Sequence, residues 1–365
     1  MSSEKVNRVC ILTGGGDAPG LNAVIRAFVR ASVGFGLEVF GSEDGFEGLV
    51  QPNRIIPLDW KSIGGILPRG GSILGCSNRG NPFAYPTVDR DGKKTFVDVS
   101  DQVVQRLNDH RIDILVLVGG DGTMNHALRL QDKGVRIVGV PKTIDNDLAG
   151  TDVTFGFNTA VQTATSAIDS LHSTAESHDR VMIVELMGRD AGWIALYAGI
   201  AGGADVVLIP EIPYEIERVE AAIRARAKRG ATFAIVVIGE GAMPKGGHVS
   251  TVDSGHTGHL ARLGGAGQRL ALELQDRIPH EIRVTVLGHL LRGGSPSSWD
   301  RVLGTRFGVK AAELCRDGKI GRLVSLEGDV IVDVALGRAI EGGRRVPLDG
   351  EIVSVARRIG IELGG

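Results

Sequence analysis

Aromatic residues are scarce, at 4% of the 365 residues. Cysteine is scarcer still: Cys10, Cys76 and Cys315 are odd in number and far apart. That spacing suggests neither a disulfide framework nor a cysteine zinc site, and reads as thiols kept in an intracellular, reducing compartment. No stretch approaches the roughly 20 apolar residues of a membrane-spanning helix. The first residues are polar and run straight into a short apolar segment, Val9–Leu12, without the apolar core of a secretory signal. The cytoplasm is the expected location. An excess of one charge is lacking too, since 41 Lys and Arg stand against 43 Asp and Glu. Nucleic acid and anionic membrane surfaces are therefore not expected as partners. An anionic substrate must instead be held by cations gathered locally.

Glycine is abundant, at 53 residues. It gathers in runs after apolar segments, where the backbone must turn sharply or approach a ligand closely. Open α/β sheets place their ligand sites in such strand-end loops. The length exceeds that of a typical single core, so two domains are expected. Apolar runs rich in Val and Ile recur at Val9–Leu12, Ile112–Val118, Ile137–Val140, Val181–Leu186, Val206–Ile209, Phe233–Ile238 and Val284–Leu287. Helical patterns lie between them, at about Gly20–Ser32, Asn125–Lys133, Thr159–Ser173, Ile216–Lys228, Gly267–Gln275 and Asp300–Cys315. The alternation predicts parallel strands with helices on both sheet faces. A domain boundary is expected between Asn146 and Asn158, with a return to the first domain near Gly293. Gly241–Gly267 reads as a surface excursion, and its His248, His256 and His259 as solvated side chains.

Three loops carry chemistry. Gly119-Gly-Asp-Gly-Thr123 follows a buried strand and opens a helix. Glycine amides and a helix N-terminus favour phosphate there, and Asp121 is a natural Mg²⁺ ligand. A Gly-rich turn with a capping Asp reads the same from this loop alone. Leu12–Gly20 contains Gly15 and Gly16, which permit close approach of a phosphate. In Pro141-Lys-Thr-Ile-Asp-Asn-Asp147, two carboxylates stand beside a lysine. Phosphoryl transfer to an alcohol needs a base and a nearby positive group. Asp145 is the expected base, Lys142 the positive group, and Thr143 and Asp147 the residues that orient their surroundings.

The pair Gly-Gly-Asp-Gly-Thr and Pro-Lys-Thr-Ile-Asp-Asn-Asp resembles the signature of the phosphofructokinase family. The N-terminal Thr-Gly-Gly-Gly-Asp-Ala-Pro-Gly-Leu-Asn, Glu185-Leu-Met-Gly-Arg189 and Gly288-His-Leu-Leu-Arg-Gly-Gly-Ser-Pro296 follow in family order. The resemblance implies a 6-phosphofructokinase that moves the γ-phosphoryl of ATP, with Mg²⁺, to the 1-hydroxyl of fructose 6-phosphate. Its fold would be two doubly wound (Rossmann-like) α/β domains with the active site in the cleft between them. Residues 1–150 and about 293–325 would bind nucleotide, and 151–292 the sugar phosphate. Residues 326–365 would form a C-terminal extension on the first domain. Gly15, Arg79, Gly119, Gly120, Asp121, Gly122 and Thr123 match the nucleotide site. Thr143, Asp145, Met187, Gly188, Arg189, Glu240, His289 and Arg292 match the sugar-phosphate site. Arg180 and Arg283 look like arginines that reach the 6-phosphate from a neighbouring subunit, which implies a homotetramer. Gly122 is typical of nucleotide users, whereas Lys142 leans towards relatives that use pyrophosphate. A pyrophosphate-dependent enzyme and a non-catalytic sugar-phosphate-binding subunit are the alternatives. Arg26, Arg30 and Arg54 resemble effector-site arginines, but Trp60 replaces a basic residue there.

Overall fold

The computed structural model describes residues 6–77, 80–89, 92–253 and 262–365. They form two compact units. The first unit opens with β1 (Arg8–Thr13), α1 (Leu21–Gly34), β2 (Glu38–Ser42), α2 (Glu47–Val50) and β3 (Ile55–Leu58). A hairpin of β4 (Tyr85–Val88) and β5 (Lys94–Val97) follows, then α3 (Ser100–Asp109), β6 (Ile114–Gly119), α4 (Asp121–Asp132) and β7 (Ile137–Pro141). After α5 (Phe157–Ser177), the second unit contains β8 (Val181–Leu186), α6 (Trp193–Ala201), β9 (Val206–Leu208), α7 (Ile216–Lys228) and β10 (Ala234–Gly239). It continues with β11 (Thr251–Asp253), β12 (Arg262–Leu263), α8 (Ala266–Leu274) and β13 (Ile282–Val286). The chain returns to the first unit for α9 (Ser298–Arg316), β14 (Arg322–Glu327) and β15 (Val330–Ala335), and ends in the second with α10 (Glu351–Arg358).

The sheet of the first unit has the order β15-β14-β7-β6-β1-β2-β3. Its interior pairings are parallel, and the edge strands β3 and β15 are antiparallel to their neighbours. The continuous apolar runs feed two cores, one on each face, because side chains alternate along a strand. Ile114, Val116 and Val118 of β6 join α1 and α9, whereas Leu115 and Leu117 join α3 and α4. Each such fully buried side chain contributes about 1.5–3 kcal/mol. Gly304 and Gly308 of α9 face α1 so closely that a Cβ at Gly308 would press on its backbone and one at Gly304 on Gly20 O just before it. The second unit has a parallel sheet, β13-β8-β10-β9. Alternate residues of β8, β9 and β10 pack with α7 and α8, and Gly199 of α6 meets Val207 on the other face.

Several elements depart from the sequence expectation. Helix α4 begins at Asp121, four residues before Asn125, so Asp121, Gly122 and Thr123 form its first turn. Helix α6 reads Trp-Ile-Ala-Leu-Tyr-Ala-Gly-Ile-Ala and is apolar on nearly every side, which erases the 3.6-residue period. The C-terminal extension does not pack wholly on the first unit. Residues through Gly342 do so, but Gly343–Gly365 belong to the second. The reason is the edge of β9, where Val207 N donates to Glu362 O at 2.9 Å and Glu362 N to Asp205 O at 3.0 Å. Ile361 and Leu363 are buried alongside. The described part of Gly241–Gly267 includes the β11–β12 pair, while His256 and His259 lie outside the described residues. All three cysteines are free thiols. Burial pushes the Cys10 thiol up to about 12 and raises that of Cys315 as well. Among the described residues no helix is long and apolar enough to cross a membrane.

Candidate active site

In the first unit, β1, β6 and β7 are parallel neighbours, and Thr13, Val118 and Val140 stand level. The loops that follow these strands therefore emerge side by side. Gly14 N donates to Val118 O, and Lys142 N to Gly119 O, both at 2.9 Å. Thr123, buried on the first turn of α4, is wedged against Gly14 and Gly119, and a Cβ at either glycine would collide with it. Gly15 takes a φ of 75°, which favours glycine.

Helix α4 has Gly120 at its N-cap in an extended conformation, and no side chain caps it. The amides of its first turn have no intrahelical acceptor. Asp121 is exposed, and its Oδ1 accepts from Gly122 N at 2.6 Å. A Cβ at Gly122 would meet nothing within 4 Å. Lys142 is only 4% exposed, and its Nζ donates to Gly16 O at 2.6 Å. Arg292 belongs to the first unit, one residue beyond the expected limit, and its Nη1 donates to Asp17 O at 3.2 Å. The structure thus ties Lys142 and Arg292 to the loop after β1. Cys76 lies on a segment that meets the same loop: Ser77 bridges Gly14, and Thr13 Oγ1 donates to Gly75 O at 2.5 Å. Burial raises the Cys76 thiol.

The loop after β7 is divided between the units, with Thr143 in the first and Ile144–Asp147 in the second. Thr154 Oγ1 donates to Thr143 O at 2.7 Å. Asp145 and Asp147 are half-buried on either side of Asn146, which takes a left-handed φ of 54°.

In the second unit, Met187, Gly188 and Arg189 follow β8, Glu240 follows β10, and His289 follows β13. These are adjacent parallel strands, so the residues share the carboxyl end of the sheet. Glu240 N donates to Leu186 O at 2.8 Å, and Gly241 N to Gly188 O at 3.1 Å. Gly188 has a φ of 138°. Glu185 is buried and turns to α8, accepting from Gly265 N at 3.1 Å and Gly267 N at 2.8 Å. Arg180 and Arg283 sit at the amino end of the same sheet, and both pair with Glu281. The length of β8 puts roughly 20 Å between them and Met187.

Arg79 lies outside the described residues. Among the described residues no cluster of three or more His, Cys, Asp or Glu side chains forms a metal site. Arg54 is paired with Asp44 and Glu43, and Arg30 lies over the Trp60 ring at 4.5 Å. Arg344 was not singled out from the sequence, yet it bonds to the carbonyls of Asn146 and Asp147. It follows two glycines in an unpatterned segment and carries no motif that reveals this contact.

Comparison with known proteins places this geometry. An ATP-dependent 6-phosphofructokinase 2 of Clostridium perfringens is 49% identical over 363 residues, covering 98% of both chains. An ATP-dependent 6-phosphofructokinase of Chloroflexus aurantiacus is 48% identical over 364 residues, covering 100% of this chain and 99% of the relative. The solved phosphofructokinase of Saccharomyces cerevisiae superposes with a TM-score of 0.77 at 29% identity, over 92% of this chain and 45% of that longer one. A pyrophosphate-dependent phosphofructokinase of Marinobacter aquaeolei shares the fold, with a TM-score of 0.78 at 21% identity. The family model described as phosphofructokinase matches residues 8–315, so the chain belongs to the phosphofructokinase family.

Proposed function

We propose that the protein is an ATP-dependent 6-phosphofructokinase that transfers the γ-phosphoryl of ATP to the 1-hydroxyl of fructose 6-phosphate, in glycolysis and in the cytoplasm. One observation carries the reading. A chain aligned nearly end to end with relatives named for this activity sets the loops after β1, β6 and β7 in one row. The pyrophosphate alternative is not favoured by those names.

In this reading the amides of Gly120, Asp121 and Thr123 at the start of α4 receive nucleotide phosphate, where the helix dipole favours an anion, while Gly122 N stays with Asp121 Oδ1. Gly15 allows the neighbouring loop to approach the same phosphates. The single exposed carboxylate of Asp121 suits a hard cation such as Mg²⁺. Asp121 would hold it, and the ion would offset charge on the phosphates. Asp145 accepts the proton of the sugar 1-hydroxyl as its oxygen attacks in line. Thr143 and Asp147 orient it. Lys142 supplies positive charge from a position fixed by Gly16. Met187, Gly188, Arg189, Glu240, His289 and Arg292 bind the sugar phosphate, Arg292 from the segment that precedes α9. Arg180 and Arg283 are too far from that group in their own chain to reach its phosphate. They are assigned to the site of a neighbouring subunit in a homotetramer, where a guanidinium fork suits phosphate oxygens.

Initial rates with fructose 6-phosphate, measured separately with MgATP and with pyrophosphate, test the reading. ATP is expected to support the faster reaction. A higher rate with pyrophosphate would overturn the donor assignment, and no turnover with either would overturn the activity.

A further inference from the structure

We propose that Arg344 is a positioning residue for the reaction, holding the Asp145 loop by its backbone carbonyls; the inference rests on the reading of Asp145 as the base. The loop is conformationally demanding. Asn146 adopts a left-handed conformation that costs a non-glycine residue energy and persists where the surroundings over-determine it. Asp145 is its direct neighbour in the chain, so a shift of this turn shifts Asp145 with it.

Arg344 grips this turn twice. Its backbone N–H donates to Asp147 O at 2.7 Å, and its Nη1 donates to Asn146 O at 3.3 Å. The guanidinium is itself held in place. It lies 4.2 Å from the centre of the Trp193 ring, and the indole N–H donates back to Arg344 O at 3.0 Å. Trp193 is 5% exposed and starts α6. Two residues on, Val346 N donates to Glu211 Oε1 at 2.8 Å, and the same carboxylate accepts from Gly192 N at 3.0 Å. A planar, stacked cation with a fixed donor fork is therefore mounted on α6 and aimed at the loop. Arg344 lies beyond the residues 8–315 that match the family model.

Steady-state kinetics of Arg344→Ala, Arg344→Gln and Arg344→Lys, each with and without Asp145→Ser, test the proposal. Misplacing a reacting group by about 1 Å costs on the order of 100-fold. Arg344→Gln is expected to lower kcat roughly 10- to 100-fold, with KM for both substrates within about threefold. Arg344→Lys should recover part of the loss, because it keeps a charged donor but not the stacked plane. In the Asp145→Ser background the same Arg344 change should alter the rate less than about threefold, since its effect passes through the carboxylate. Unchanged kcat, a loss confined to KM, or an equal loss in both backgrounds would overturn it. Should Arg344→Ala fail to fold, the Gln variant decides; failure of all three to fold would make Arg344 a residue of the fold, and the proposal falls. Near-wild-type activity of Asp145→Ser alone removes the base assignment, a separate failure.

Discussion

Two glycines three residues apart, one at the end of β6 and one in the first turn of α4, have opposite surroundings. Gly119 is closed off by Thr123, whereas Gly122 faces open space. A substitution at Gly122 should therefore be tolerated by the fold but not by a ligand. Gly122→Asp puts a second carboxylate beside Asp121, where the proposed nucleotide phosphates lie. Like charges about 4 Å apart repel by about 4 kcal/mol at an effective dielectric near 20. ATP-dependent activity should fall by roughly two to three orders of magnitude. Stability should change by no more than about 0.5 kcal/mol, as for other surface substitutions. Thermal melting and initial rates with both donors check this; intact ATP activity would remove Gly122 from the nucleotide site. The residues of this loop were legible in the sequence because their chemistry depends on neighbours in sequence. Arg344 was not, because its partners at Asn146 and Asp147 are nearly two hundred residues away, and a carbonyl acceptor leaves no side-chain signature.

Among helices, the tightest constraint is the pairing of α1 with α9. Gly308 lies where a Cβ would meet Val24 O, Ala27 and Phe28 N of α1. Gly308→Ala should therefore destabilise by about 1–3 kcal/mol through overpacking, although alanine is the better helix former. Gly34→Ala, at the last turn of α1 with nothing within 4 Å, is the control and should be neutral or stabilising by about 0.5–1 kcal/mol. Urea midpoints of the two variants give the answer, and equal midpoints would show that the helices part easily. The long buried strands were readable as unbroken Val and Ile runs. The start of α4 was misplaced because Gly122 and Thr123 are poor helix formers that tertiary packing overrides. Helix α6 had no polar face to give it a period. Of the C-terminal segment only Gly343–Gly365 depart from the expected unit, because edge pairing with β9 is made by backbone, which composition does not record.

For the whole molecule, the placement of Arg180 and Arg283 at the far end of their sheet makes assembly part of the proposed chemistry. Either arginine changed to alanine should raise KM for the sugar phosphate, by an amount equivalent to about 1.5–3 kcal/mol. Mixing Arg283→Ala with Asp145→Ser under conditions that exchange subunits should regain activity through hybrid sites. Stable hybrids without recovered activity would mean that each site is built from one chain. A different consequence follows from the order in which the chain visits its units. Helix α1 waits for α9, and β7 for β14, while the entire second sheet is made in between. At about 5–20 residues per second, a ribosome needs on the order of half a minute to deliver α9 after α1. Throughout that interval Leu21, Ile25 and Phe28 lack the cover that Leu303 and Phe307 later provide. The nascent chain should thus leave this face of α1 uncovered until its last fifth is made, and ribosomes stalled before Ser298 should hold a first unit that proteases cut readily.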